Sequence, residues 1–273
     1  MAKYKKKRAR ELQHDRFRDT ALTVFDRLGN KLEGKGKTIL YGVIGLVVVG
    51  ALAGFYVTWN NRKKDEARRA MGRAIAITAT PVSPMSPSID PSAPKFTTER
   101  ERAQKAIEEF QKVSAKYGDP YRTEARYFIA TNLLYVEREK GLSELAELSK
   151  ASSPEVALLS KFALAQAKES DAKYDEAGQL YSELAALNST LVTSETANLR
   201  LATVYEKQGK KKEAVELLFN IAEASRKAKD SDGTPLPPSA AGREAAEKLQ
   251  KLDPERYAKL TPEAPQALPF GLG

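Results

Sequence analysis

The sequence predicts an all-α protein in which one transmembrane helix precedes a solenoid of paired helices. Three observations predict it. Residues 38–59 contain no charged side chain. Residues 97–260 are rich in Ala, Glu, Lys and Leu with helical periodicity, and they contain no convincing alternating strand pattern. Breaks recur at regular intervals through this second region, at Gly118-Asp119-Pro120, Gly141, Ser153-Pro154, the Asn188 region and Gly209.

The uncharged run is long enough to cross a bilayer. Its 22 residues would form a helix of about 33 Å, against a hydrocarbon core of about 30 Å. Tyr41 near one end and Trp59 at the other fit interfacial aromatic belts. A cleaved signal peptide is the alternative, because Ala51-Leu52-Ala53 has the form of a cleavage site. The apolar run continues beyond Ala53 without a polar region, which favours the transmembrane helix.

The positive charge of the chain flanks this run. Residues 1–37 hold 12 Lys and Arg against five Asp and Glu, and residues 60–73 hold six against two. Residues 74–273 hold 27 against 29, close to neutrality. A nucleic-acid-binding domain would carry its basic charge on a folded face, so this distribution favours membrane lipid as a partner and no nucleic acid.

Orientation follows from the short basic tail. The basic residues within about 20 positions of the span are nearly balanced, five before it and six after it. Translocating a short tail with 12 basic residues would be costly, so we expect the N-terminus in the cytoplasm and the C-terminal domain across the membrane.

Five segments are predicted. Residues 1–37 are a basic cytoplasmic tail, which is either an amphipathic helix on the lipid surface or a solvated tail. Residues 38–59 are the transmembrane helix, and residues 60–96 are a basic juxtamembrane helix followed by a linker with five prolines. Residues 97–260 are the helical domain, and residues 261–273 are a flexible C-terminal tail.

A small-residue pair lies within the predicted span. Gly50 and Gly54 form a Gly-x-x-x-Gly spacing, which allows two membrane helices to approach closely. The pair predicts a homodimer or a partner contact through the membrane helix. The alternative is a lipid-facing helix that tolerates two glycines.

No catalytic, cofactor-binding or metal-binding residue is predicted, and the chain is not expected to be an enzyme. It has no cysteine, and its only histidine, His14, lies in the basic tail, which makes most metal and triad chemistry improbable. The stretch "GKGKT" resembles the end of a phosphate-binding loop. Such a loop needs a glycine, four residues, and then Gly-Lys-Ser/Thr. If it ends at Gly36-Lys37-Thr38, Lys31 stands in place of the first glycine; if it ends at Gly34-Lys35, Gly36 stands in place of the hydroxyl residue. Neither frame fits a nucleotide-binding loop.

Residues 201–221 carry the clearest repeat. Small, aromatic and aliphatic residues have the spacing of a tetratricopeptide repeat at Leu201, Ala202, Tyr205, Gly209, Ala214, Leu218 and Ile221. The preceding segment keeps this register at Leu164, Ala165, Tyr174, Ala177, Tyr181 and Leu184, but departs from it at Lys168 and at Ala172, where glycine is usual. Ala177 and Ala214 are 37 residues apart, more than the usual period of about 34, so the turn between these copies should be longer.

A weaker copy precedes these two. Its second helix is indicated by Ala106, Phe110, Val113 and Tyr117, and the first helix of the next copy by Ile129, Ala130 and Leu133. In tetratricopeptide repeats the first helices line a concave groove for an extended peptide or a partner helix. Transferred to the two clearer copies, the groove would include Phe162, Gln166, Glu169, Leu199, Thr203, Glu206 and Lys207.

The arrangement resembles one family: a basic tail, one span, and a helical domain that opens with "AIEEFQKVSAKYGDP". It is similar to the ancillary subunit of the SecYEG translocon, a single-span protein of the bacterial inner membrane. The resemblance implies a periplasmic repeat domain that binds translocon components or secreted clients in a chaperone-like role. The alternative is a scaffold subunit of a cell-envelope or secretion complex.

Overall fold

A computed structural model describes the backbone of residues 36–82 and 95–263, and side chains from residue 48 onward within these ranges. The predicted tail up to residue 35, the linker between 83 and 94 and the chain after 263 lie outside the described residues. The chain divides into two units, Met1–Glu66 and Ala67–Gly273.

The described part of the first unit is helical. It belongs to α1, which runs from Gly36 to Thr78. Large apolar side chains between residues 48 and 59 are exposed, from Val48 at 49% through Phe55 at 70% to Trp59 at 50%. Among the residues that the structure describes, no helix qualifies by length and apolar character as a membrane span. Side chains of residues 38–47 lie outside the described residues, and the predicted span stays a prediction.

The second unit is a succession of short helices, which confirms the all-α prediction for the described residues. Apart from two isolated bridges, Val82–Phe96 and Lys229–Pro235, these residues contain no β pairing. The helices that follow α1 are α2 (Glu99–Lys116), α3 (Tyr121–Val136), α4 (Arg138–Leu148), α5 (Pro154–Ser170), α6 (Tyr174–Ala186), α7 (Ser194–Lys207), α8 (Lys211–Lys227), α9 (Ala240–Leu252) and α10 (Pro254–Tyr257).

Side-chain caps fix where several helices begin. The hydroxyl of Thr98 accepts a hydrogen bond from the Glu101 amide at 3.1 Å, and the Glu101 carboxylate accepts one from the Thr97 amide at 3.0 Å. This reciprocal pair satisfies two amides that have no partner inside the helix. At four other helices one side chain accepts a hydrogen bond from a first-turn amide: Ser153 at α5, Thr193 at α7, Ser239 at α9 and Asp253 at α10.

Consecutive helices pack as hairpins in the TPR-like manner that the sequence predicts. Ala130, Ala165 and Ala202 on α3, α5 and α7 are 0–1% exposed, as expected for small residues at helix crossings. The second helices carry large buried residues beside these alanines: Leu145 on α4, Tyr181 on α6 and Leu218 on α8 are also 0–1% exposed. The turn at residues 187–193 is longer than those at 171–173 and 208–210, as predicted.

The core of the second unit begins before the predicted domain boundary at residue 97. Met71 and Ala74, in the C-terminal part of α1, are buried in one cluster with Ala106 and Phe110 of α2. The sequence predicts a juxtamembrane helix for these residues, because basic residues outnumber acidic ones six to two between residues 60 and 73. Burial of Ala67, Met71 and Ala74 along one helix face makes this segment part of the packed core.

Gly141 lies inside α4 and does not mark a helix break. The break comes at Glu137, between α3 and α4. A Cβ added at Gly141 would lie 2.8 Å from the Leu134 amide nitrogen and 3.0 Å from the Ala130 carbonyl oxygen. The glycine therefore permits close packing of α4 against α3, a role that turn propensity does not distinguish from a break.

The chain after α10 is fixed to α8. Leu260 is 6% exposed and joins the last core cluster. The Thr261 amide and hydroxyl donate to the Glu223 carboxylate at 2.8 and 2.7 Å, and Arg226 donates to the Thr261 carbonyl at 2.9 Å. Hydrogen bonds from Lys227 and then from Thr261 lower the pKa of Glu223 to about 2.

The turn between α5 and α6 predicts a stabilising substitution. Ala172 has a φ of 57° and Gly209 has a φ of 74°, at equivalent turns of consecutive helix pairs. The left-handed conformation costs alanine about 1–2 kcal/mol and glycine little. We expect Ala172→Gly to raise the free energy of unfolding by about 1 kcal/mol, and Gly209→Ala to lower it by a similar amount. Urea denaturation of the full chain measures both, and a destabilised Ala172→Gly variant would contradict the assignment.

Acid should weaken the attachment of residues 260–263 to α8. Because folding lowers the pKa of Glu223 from 4.5 to about 2, its stabilising contribution is complete above about pH 4.5. This contribution is lost as the pH falls towards 2, where the folded-state carboxylate is protonated. We expect Glu223→Gln to be less stable than wild type near neutral pH, with the difference shrinking in acid. Denaturation at several pH values tests this, and a pH-independent difference would refute it.

Candidate partner-binding surface

Three of the predicted groove residues lie on α5, and they differ in exposure. Gln166 is exposed, whereas Phe162 and Glu169 are half-buried. The Phe162 ring contacts Tyr181 edge to face, with the two ring centroids 6.0 Å apart. The Tyr181 hydroxyl donates to the Glu169 carboxylate at 2.7 Å. The second helix of this pair therefore supports two groove residues of the first.

The other four lie on α7, the first helix of the next pair. Glu206 and Lys207 are exposed and Thr203 is half-buried. The Thr203 hydroxyl donates to the Leu199 carbonyl at 3.1 Å, so it is bonded within its own helix. Leu199 is 6% exposed and belongs to a core cluster that includes Leu218 and Leu249. Its side chain packs inside the domain, and we assign it a supporting role beneath the surface.

Phe162 and Leu199 occupy equivalent positions in their helix pairs. Phe162 packs against the cluster that contains Tyr181, and Leu199 shares a cluster with Leu218. In both pairs the residue on the first helix therefore packs in the same cluster as the large buried residue of the second helix. This equivalence explains why sequence register alone placed both residues in the groove, since register does not distinguish a lining residue from one beneath it.

Electrostatics connect α5 and α7. Burial raises the pKa of Tyr181, the hydrogen bond to Glu169 raises it further, and the positive charge of Arg200 acts in the opposite direction. Arg200 is an exposed residue of α7, so a fixed carboxylate and an arginine lie on neighbouring first helices. The sequence prediction omitted Arg200, although it lies three residues before Thr203 and seven before Lys207, on the same face of the helix.

A separate pocket of about 580 Å³ lies beside the N-terminal end of α5. The long turn between α6 and α7 forms one wall, and Pro154, Ala157 and Leu158 contribute to the other. Leu187 and Leu191 of the turn are 56% and 54% exposed. None of the seven predicted groove residues lines this pocket. The sequence predicted that this turn would be long, but it did not predict that the turn would form a pocket with α5.

Gly50 and Gly54 lie in the described part of the first unit, on α1. A Cβ at either position would meet no atom within 4 Å, so the described residues leave the space beside both glycines open. Their role in packing of membrane helices stays a prediction.

Comparisons with known proteins find few similarities. No family model matches the chain, and no curated protein matches it. A solved structure of a candidate kinesin light chain from Podosopora anserina, with nearly identical TPR-like repeats, is similar at 20% sequence identity and a TM-score of 0.41. The similarity covers 56% of this chain and 79% of that one. A variant of the same protein is similar at 20% identity and a TM-score of 0.42, covering 56% and 78%.

The contact between Tyr181 and Glu169 is testable by a double-mutant cycle. A hydrogen bond to a charged group contributes about 1.5–3 kcal/mol. We expect Tyr181→Phe and Glu169→Ala each to destabilise the fold, and the double variant to lose less than the sum of the two. A coupling of about 1–2 kcal/mol in urea denaturation would support the contact. Glu206→Ala is the matched control, because Glu206 is exposed on α7 and should show no coupling to Tyr181. Strictly additive losses for Tyr181→Phe and Glu169→Ala would contradict the contact between Tyr181 and Glu169.

Proposed function

We propose that this protein is a membrane-anchored interaction module whose TPR-like helix pairs bind segments of other proteins, without chemistry of its own. The observation that carries the proposal is the surface shared by α5 and α7. There the exposed Gln166, Glu206 and Lys207 lie on successive first helices. The carboxylate of Glu169 is held by a buried tyrosine on the same pair.

The chemistry of this surface suits an adaptable peptide site. Amide, carboxylate and ammonium groups alternate with the half-buried ring of Phe162, so the surface offers both hydrogen-bond partners and apolar contact area. No single charge sign dominates the residues named, which favours extended segments of varied sequence over one strongly charged ligand. Because the hydrogen bond from Tyr181 already orders the Glu169 side chain, this carboxylate loses little conformational entropy when a partner binds.

The anchoring part of the proposal rests on residues 38–59. This run carries no charge over 22 residues, and a basic segment follows it. Between residues 48 and 59 the described side chains expose valine, leucine, phenylalanine and tryptophan to the surroundings. A helix that is apolar on all sides requires a protein core or a membrane around it. We favour the membrane, with Gly50 and Gly54 available for a homodimer or a partner helix.

We propose the bacterial inner membrane as the location, with the N-terminus in the cytoplasm and the helical domain in the periplasm. The 12 basic residues of the tail and the resemblance to the ancillary translocon subunit support this orientation. In that position the helix pairs would bind secreted proteins or translocon components. A C-terminal reporter that functions only in the cytoplasm should be inactive, and an active reporter would reverse the orientation.

A scaffold subunit of an envelope or secretion complex is the second candidate. The observation that favours it is the apolar pocket beside α5, with Leu187 and Leu191 more than half exposed. A fixed partner helix or loop would cover such leucines permanently, whereas transient clients would leave them exposed. Crosslinking in native membranes separates the two: many client chains support the chaperone-like role, and one stable partner supports the scaffold.

Site-specific photocrosslinking in the full chain tests the groove. A photoreactive residue in place of Gln166, on the first helix of its pair, should crosslink to other proteins in native membranes. The matched control is the same residue in place of Asn220, an exposed amide on α8, a second helix. We expect several-fold more crosslinked protein from position 166 than from position 220. Equal yields would contradict a binding surface on the first helices.

A further inference from the structure

The region where the uncharged run ends contains an aromatic and cationic cluster that the interaction role does not use. Trp59 is the last residue of the run, and Lys63 follows one helical turn later. The Lys63 ammonium lies 3.9 Å from the centroid of the Trp59 ring. Arg62 lies on the same side of α1 by helical spacing and is exposed. All these residues belong to the first unit.

We propose that Trp59, Arg62 and Lys63 form a binding site for the phosphate of an anionic phospholipid. This inference rests on the membrane anchoring proposed above. An indole at the end of an apolar run prefers the bilayer interface, where lipid phosphates lie. The cation–π contact holds the Lys63 ammonium at that depth while leaving N–H donors for a phosphate oxygen. Arg62 adds a planar, two-pronged donor that matches phosphate geometry.

Charge favours anionic lipids over zwitterionic ones at this site. Glu66 lies one turn beyond Arg62 on the same side of the helix, and it takes part in an interaction of its own. Asp65 also lies close by, three residues beyond Arg62, but residues 60–73 together hold six Lys and Arg against two Asp and Glu, which leaves a positive surplus. A phosphatidylglycerol headgroup keeps its negative charge, whereas the choline of phosphatidylcholine offsets the phosphate charge. Each basic residue near an anionic membrane surface contributes roughly a fivefold preference.

The chain provides its own probe, because Trp59 is the only tryptophan. Full-length protein would be reconstituted in bilayers that contain either brominated phosphatidylcholine or brominated phosphatidylglycerol, and quenching of Trp59 fluorescence would give the relative binding constant. We expect phosphatidylglycerol to be preferred by about fivefold or more at low salt, with the preference falling at high salt. Equal binding of both lipids in wild type would overturn the inference.

Matched variants identify the residues responsible. Lys63→Gln and Arg62→Gln should each reduce the preference severalfold, and Glu66→Gln should increase it. Lys64→Gln is the control, since it removes the same charge next to Lys63 but on the opposite side of the helix. An equal loss in Lys64→Gln would show a diffuse electrostatic effect and would overturn the site.

The same experiment distinguishes failure of the anchoring proposal from failure of the lipid site. If neither brominated lipid quenches Trp59 in wild type, residue 59 is not beside the acyl chains, and both the anchor and the lipid site are refuted. If brominated phosphatidylcholine quenches Trp59 as effectively as phosphatidylglycerol does, the anchor stands and the lipid site alone is refuted.

Discussion

Close contact between paired helices is the constraint on which the second unit depends. Ala130, Ala165 and Ala202 are almost completely buried on successive first helices, and Ala177 and Ala214 are fully buried on second helices. A larger side chain at these crossings would separate the helix axes and leave the large residues beside them without contacts. Gly141 shows the same constraint more strongly, because a Cβ at this position would lie 2.8 Å from the Leu134 amide nitrogen on α3. Repetition of this contact along the chain produces a row of small cores, each built from neighbouring helices.

The candidate surface depends on these cores. Tyr181 is fully buried, yet its hydroxyl reaches the half-buried Glu169, so a packing residue also positions a surface carboxylate. Phe162 contacts Tyr181, and Leu199 shares a core cluster with Leu218, so both residues support the surface from the core side. Both ends of the row are closed by segments outside the regular pairs. The end of α1 covers α2, and residues 260–263 are bonded to α8. Such terminal segments shield apolar helix faces that no further pair would cover.

The two halves of the proposed function draw on different physical properties. Partner binding uses a polar surface supported by tightly packed helices, whereas anchoring uses apolar side chains without a protein core around them. The lipid site belongs to the junction between apolar and charged residues on α1, where Trp59 and Lys63 are in contact. Together, partner binding, anchoring and the lipid site would tether the helix pairs to a membrane surface, and the lipid composition of that surface would influence how the anchor is bound.

The sequence by itself determined the all-α class, the positions of the two clearer helix pairs and the longer turn at residues 187–193. These features depend on local spacing, capping residues and breaks, which are properties of neighbouring residues along the chain. It also indicated the small crossing residues, because their order is characteristic of the repeat. Tertiary structure alone decided that Met71 and Ala74 belong to the core, that Gly141 lies within a helix and that Leu199 is buried. It also placed the Tyr181 hydroxyl within hydrogen-bonding distance of the Glu169 carboxylate, and it formed the pocket beside α5. These outcomes depend on contacts between residues distant in sequence, and helical periodicity contains no information on which neighbour covers a given face.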